Sequence, residues 1–214
     1  MDEDISIIDT NTRNEKIKNF FIKNKKKIIG IILSIIIIII SYYSLEKIKE
    51  KNKIKLANQY NSTIMNFDND DKETTIKILT NLVKERDITY SPLALYFLID
   101  NDLIDNRNDL NILFDELINK TNLDREIKNL IIYKKALFNS GFESENNLLK
   151  ILEPLISSNS IWESHALYLL AEYFYSKNEK QKAKEFFNKI LILEKSNSDI
   201  KTESQKRLNR DFGE

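Results

Sequence analysis

Cysteine is absent from this chain of 214 residues, and it has one histidine, one tryptophan, three glycines and two prolines. Without a thiol there is no disulfide framework, no thiolate metal site, no thiol nucleophile and no lipid-modified cysteine. The lone imidazole, His165, has Glu163 and Glu172 as helical neighbours, which is too little for a metal cluster or a Ser-His-Asp arrangement. Sheet proteins turn often and use glycine and proline to do so, so their scarcity favours helices joined by short polar turns. No glycine-rich phosphate loop is present, and the acid pair Asp70-Asp71 falls in a polar stretch where solvation is its ordinary state. The expectation is a non-enzyme with no cofactor, no metal and no small-molecule substrate. An anchored enzyme subunit with unrecognised catalytic residues is the remote alternative.

What the chain does have is a long apolar run. Ile28–Leu45, IIGIILSIIIIIISYYSL, carries no charge and follows Lys25, Lys26 and Lys27. As a helix its roughly 18 residues reach about 27 Å, close to the hydrocarbon thickness of a bilayer. A secretory signal would have an apolar region of about 7–15 residues and a small-residue cleavage site. Here five acids precede the run, and its exit reads Ser41-Tyr42-Tyr43-Ser44, which suits an interfacial aromatic belt better. A buried core helix would show a polar stripe, and this run is apolar all round. An uncleaved transmembrane helix is therefore the expectation over those two alternatives.

The balance of 33 basic and 33 acidic residues hides an asymmetry. Residues 1–45 hold seven basic and five acidic side chains, residues 46–60 hold five lysines and two glutamates, and the rest carries 21 basic against 26 acidic. An acidic domain argues against nucleic acid as a partner. The lysines beside the apolar run suit anionic lipid headgroups, with simple snorkelling as the plainer explanation. The modest excess of basic residues before the run favours a cytoplasmic N-terminus and a translocated C-terminal domain.

Four regions are expected. Residues 1–27 form a cytoplasmic tail, acidic and disordered through Arg13, then a short amphipathic helix with Ile17, Phe20 and Phe21 on one face. That helix is alternatively the cytoplasmic end of the membrane helix itself. Residues 28–45 are the transmembrane helix, residues 46–70 a juxtamembrane helix and linker, and residues 71–210 an all-α repeat domain. Within it, Lys72–Lys84 places Ile76, Leu79 and Val83 on one face. Ser91-Pro92 reads as a capping serine with proline at the first helical position. Asp109–Ile118 follows, and Asp124–Asn139 is expected to end on a left-handed Gly141. Ser144–Ile156 ends near Pro154, and Ser160–Glu163 reads as a capping box. Ile161–Lys177 and Glu179–Leu193 form a hairpin around Asn178, and Asp199–Arg210 closes the chain.

Phe114, Leu152 and Phe187 occupy one place in three successive second helices, 38 and 35 residues apart. That is close to the roughly 34-residue period of tetratricopeptide hairpins. In the last pair, Leu170, Ala171, Phe174, Ala183 and Phe187 hold the repeat's signature places, small where two helices touch and aromatic where neighbours leave gaps. Asn178 replaces the turn glycine, and Lys195 departs from the terminal proline. Ala136, Leu148 and Leu152 fit three places of an earlier repeat. The fold expected is all-α, a single N-terminal transmembrane helix followed by a tetratricopeptide-like (TPR-like) α-hairpin solenoid.

With that layout, Leu152-Glu153-Pro154-Leu155, Ile161-Trp162 and Ala166-Leu167-Tyr168-Leu169-Leu170-Ala171 resemble the YfgM-like family of tetratricopeptide-repeat inner-membrane proteins. The resemblance is most specific over residues 150–193. It implies a single-pass protein of the bacterial inner membrane with its repeat domain in the periplasm. It also implies an ancillary role at the SecYEG translocon, with translocon subunits, periplasmic chaperones or their clients as protein partners. A structural or assembly-scaffold subunit of another membrane complex is the alternative. In such repeats the first helix of each pair lines the concave face. The candidate partner-binding residues are then Tyr133, His165, Tyr168, Glu172 and Tyr175, amphipathic groups suited to adaptable protein contacts. The plainer reading is that these tyrosines pack on the next helix with only their hydroxyls wet.

Overall fold

The computed structural model describes residues 2–68 and 71–213, with side chains from residue 14 onward. Asp70 lies outside the described residues. Those described form nine helices and no strand: α1 Asp2–Met65, α2 Lys72–Lys84, α3 Tyr90–Asp100, α4 Arg107–Lys120, α5 Arg125–Asn139, α6 Glu145–Ile156, α7 Trp162–Ser176, α8 Lys180–Ile192 and α9 Ser198–Phe212. The chain divides into two compact units at Lys55/Leu56.

The first unit is helix α1 through Lys55. It starts at Asp2, so the stretch through Arg13, expected to be a disordered tail, is helical, and no separate amphipathic helix precedes the apolar run. Composition explains the continuity. The first glycine is Gly30 and the first proline Pro92, and acids at positions 2–4 favour a helix N-terminus through its dipole. Gly30 meets no heavy atom within 4 Å of where a Cβ would stand. Along the apolar run the large side chains are exposed on every side, from Ile36 at 45 % to Ile38 at 66 %.

The second unit begins at Leu56 and holds two hydrophobic cores. One joins Leu79, Leu82 and Val83 of α2, Ala94, Leu95 and Leu98 of α3, and Leu113, Phe114 and Leu117 of α4, with Leu56 and Tyr60 packed on its edge. The other joins α5 to α9 around Leu148, Leu152, Leu170, Phe174, Phe187 and Leu208. Helix α5 serves both, giving Ile131 to the first core and Ile132 and Ala136 to the second. Helices α7 with α8, α2 with α3, α8 with α9, and α5 with α6 make the closest pairs. Helix α4 packs most closely on α5 and meets both α2 and α3. Phe114, Leu152 and Phe187 are all fully buried, yet Phe114 belongs to a different core from the other two, so equal spacing does not give the three equivalent surroundings.

Several local signals act differently from their expected roles. The helix signalled by Ser91-Pro92 starts two residues earlier, at Tyr90, and is capped from Asp87, whose Oδ1 accepts from the Thr89 and Tyr90 amides at 2.9 and 2.7 Å. Ser91 is buried, donating to the Leu82 carbonyl at 2.6 Å and accepting from the Asp87 amide. A tertiary partner outbids the local cap. Pro92 still sits within the first turn, where its missing N–H costs no helical bond. Ser160 does not form the expected box: the helix takes Ile161 as its cap, and the Glu163 amide donates to the Ser160 carbonyl rather than to its hydroxyl. That hydroxyl accepts from the Trp162 amide at 3.0 Å and donates to Glu126 of α5 at 2.9 Å, while the Ser160 amide donates to Ser158 rather than to Glu163. Gly141 is not left-handed. Helix α5 closes on Ser140, whose hydroxyl donates to the Leu137 carbonyl at 2.8 Å. Asn178 does take the left-handed conformation, with φ 62°, as an asparagine at a hairpin turn tolerates.

Arg86 also has a positive φ, 58°, just past α2. Glycine is the usual residue there, but the guanidinium has a task. Its Nε donates to Glu116 of α4 at 2.6 Å, and Lys120 donates to the other oxygen at 2.7 Å. Lys120 first and Arg86 second hold the Glu116 carboxyl below its ordinary value of 4.5. A folded value below the unfolded one contributes stability that is present above about pH 4.5 and lost as pH falls through the depressed value. Glu116→Gln is expected to cost about 0.5–1 kcal/mol at neutral pH, because both cations are half-exposed. Urea midpoints measured from pH 7 down to 3 should fall less steeply for the variant than for the parent. Parallel curves would show that Glu116 is not tied to the fold.

Candidate docking face

Helix geometry divides the surface of α5 into two sides. Residues 126, 130, 133 and 137 lie within a narrow arc at about 100° per residue, and they form one side. Lys135 and Asn139 lie on the other. On the first side the Tyr133 ring stacks on Trp162 of α7, centroids 5.7 Å apart and planes 28° from parallel. His165 meets both rings, at 5.7 Å from Tyr133 and 5.1 Å from Trp162. All three residues are half-buried. His165 Nδ1 lies 3.1 Å from the Ile161 carbonyl, so that nitrogen is the protonated one if the contact is a hydrogen bond. Burial raises the Tyr133 hydroxyl above its ordinary value. Beside the cluster, Leu137 is half-exposed and Ile161 more so. The result is an aromatic step between α5 and α7.

Tyr168, Glu172 and Tyr175 lie further round α7 and face α9. The Tyr168 ring meets Phe187 edge-on at 5.6 Å, and its hydroxyl is pushed up to about 12 by burial and then by the Glu172 carboxylate beside it. Arg207 of α9 places Nε 2.7 Å from Glu172 Oε1 and donates from Nη2 to Oε2 at 2.9 Å. The Nε approach is bent, so the pair is held by one hydrogen bond and one close charge contact. The same guanidinium reaches Asp211 at 2.6 Å and lies 4.4 Å over the Tyr175 ring, which Phe212 closes from the far side at 5.9 Å. Of the five residues expected on a partner-binding face, Tyr133 and His165 come together, Glu172 and Tyr175 are engaged by the last helix, and Tyr168 packs on Phe187 of α8.

The signature residues Leu170, Ala171, Phe174, Ala183 and Phe187 are each no more than 1 % exposed and share one core. Sequence reasoning left Trp162 to its cap and did not single out Arg207 at all. The i, i+4 spacing of Arg207 and Asp211 was the available signal for the second.

The other side of α5 floors a cleft of about 450 Å³ between α4 and α6. There Asn111 and Asn139 exchange two amide hydrogen bonds at 3.0 and 2.8 Å, and Lys135 pairs with Asp115 at 2.7 Å. The cleft opens where α4 leaves the hairpin order, between the two cores. Glu143 also accepts from the Asn147 side-chain amide there at 2.8 Å. Among the described residues, no three histidines or carboxylates converge as metal ligands would.

No family model matches this chain, and no curated protein or solved structure is similar to it.

Proposed function

We propose that the protein is a single-pass membrane-anchored docking module, a TPR-like stack of helical hairpins held at the membrane by α1. The observation that carries the reading is the exposure of the apolar run, whose 18-residue window has none of its residues buried. One such helix is long and apolar enough to cross a bilayer. Exposed on all sides in water, so large an apolar surface would aggregate, and lipid is the medium that suits it. The aromatic step of Tyr133, Trp162 and His165 supports docking, since amphipathic rings at the edge of a rigid scaffold make adaptable protein contacts. The charge bias supports a cytoplasmic N-terminus and a periplasmic helical domain. The resemblance over residues 150–193 supports translocon subunits and periplasmic chaperones as the protein partners. A fixed scaffold subunit is the second reading, favoured by the packing of Tyr168 on Phe187 of α8 and of Tyr175 on α9.

The test is photocrosslinking in cells with the anchor intact. A crosslinker placed at Leu137 or His165 should capture discrete proteins that one placed at Lys150, on the opposite side of α5, does not. Equal capture from both sides removes the docking reading. A single stoichiometric partner selects the scaffold, and several substoichiometric ones select an ancillary factor.

A further inference from the structure

The apolar run is bounded by two lysine collars. Four lysines fall among residues 23–27 and five, at alternate positions, among residues 47–55, against two glutamates from 23 through 55. All nine ammonium-bearing side chains are exposed, and none takes part in a hydrogen bond or ion pair. Their arrangement is circumferential. Alternate residues of a helix advance by about 200°, so the five lysines after the run encircle the axis, and the four before it are spread likewise. A helix that docks on a protein presents one face. Only surroundings that lie on every side of the helix use a ring, and around a spanning helix those surroundings are lipid.

The vertical placement agrees. Lys27 and Lys47 stand immediately outside the 18 uncharged residues with only Glu46 between Leu45 and Lys47. Long lysine stems reach from the apolar boundary to the phosphate plane. Tyr42 and Tyr43, both exposed and meeting edge-on at 5.9 Å, mark the depth where such rings settle.

We propose that the two collars make the anchor selective for anionic phospholipids, the phosphate-bearing headgroups being their ligand in both leaflets. This rests on the reading of Ile28–Leu45 as a spanning helix, and the test separates the two. The full-length chain is reconstituted in phosphatidylcholine vesicles with a minority of phosphatidylglycerol, and lipids spin-labelled on either headgroup class report which of them the helix immobilises. Phosphatidylglycerol is expected to be favoured about three- to tenfold at low salt, since each lysine near a charged surface adds a modest attraction. The preference should fall towards one at about 1 M salt, where the screening length is about 3 Å. Changing the nine lysines to arginine should preserve it, and changing them to glutamine should abolish it. If the nine-fold glutamine variant does not insert, changing one collar at a time should reduce the preference in part. An immobilised lipid shell with no preference in the parent chain overturns the proposal and leaves the anchor standing. Loss of the preference in the arginine variant also overturns it, since charge would not be its source. Absence of any immobilised lipid overturns the anchor and the proposal together.

Discussion

Replacing Ile36 and Ile37 together by aspartate is expected to move the full-length chain from the membrane fraction to the soluble one. The two residues lie at the middle of the 18 uncharged positions, and both are exposed, 45 % and 63 %, so no protein neighbour would compensate a charge there. An aspartate at the centre of a membrane helix costs roughly 2.5–3.5 kcal/mol for insertion, and two of them cost about twice that, outweighing what the remaining isoleucines supply. Ile36→Leu with Ile37→Leu keeps the apolar area and should change nothing. Alkaline extraction followed by flotation reads the result, with circular dichroism checking that the helical unit survives. A doubly substituted chain that still floats with lipid would show that the membrane is held by something other than this run.

The same residues explain why the candidate membrane helix was legible from sequence while much of the helical unit was not. An unbroken apolar run is a one-dimensional property, needing no partner to be recognised. Helix α2 is similar, with a 3.6-residue periodicity and end signals that are local, and its span of Lys72–Lys84 is the expected one. Asn178 is local too, because only its own backbone decides whether φ is positive. The misreadings occur where a tertiary contact competes with a local one. Ser91 could cap its own helix, but the Leu82 carbonyl is buried beside it and takes the hydroxyl instead. Ser160 divides its hydroxyl between the Trp162 amide and Glu126, a residue 34 positions earlier in the chain.

The placement of α4 was the least legible feature. Its stripe of Leu110, Leu113, Phe114 and Leu117 fits any hairpin partner equally well, and all four residues are buried. The helix packs most closely on α5, and the Lys135–Asp115 pair to α5 and the Arg86–Glu116 pair to the end of α2 are long-range contacts that no local pattern announces. The candidate docking face was half legible for a related reason. Spacing puts His165, Tyr168, Glu172 and Tyr175 on one broad arc of α7, but it does not say which part of that arc α9 covers. Arg207 decides that by reaching Glu172 and Tyr175 and leaving His165 to Trp162 and Tyr133.

Phe187→Ala should remove about 3–5 kcal/mol from the stability of the helical unit, as deletion of a buried phenylalanine generally does. The ring is fully buried and is shared by three elements. It meets Tyr168 of α7 at 5.6 Å and Phe212 of α9 at 6.1 Å, and the Arg207 guanidinium lies 5.7 Å from its centroid. Truncation would therefore leave a void under the seam that joins α7, α8 and α9. It would also loosen the support beneath the Arg207–Glu172 pair. Against a total stability on the order of 5–15 kcal/mol, that is a large fraction. The chain supplies its own probe, since Trp162 is its single tryptophan and stands at the start of α7. Urea unfolding of the full chain in detergent, followed by Trp162 fluorescence, should show a midpoint well below the parent's for Phe187→Ala and a partial return for Phe187→Leu. Phe142→Ala provides the contrast. That ring is 59 % exposed with the Arg107 guanidinium 3.2 Å above it, and its loss should cost about 1 kcal/mol or less. If Phe187→Ala cost no more than Phe142→Ala, the α7–α9 seam would be loosely packed. Glu172 and Tyr175, which α9 engages, and Tyr168, which packs on Phe187, would then be as free to meet a partner as Tyr133 and His165 are.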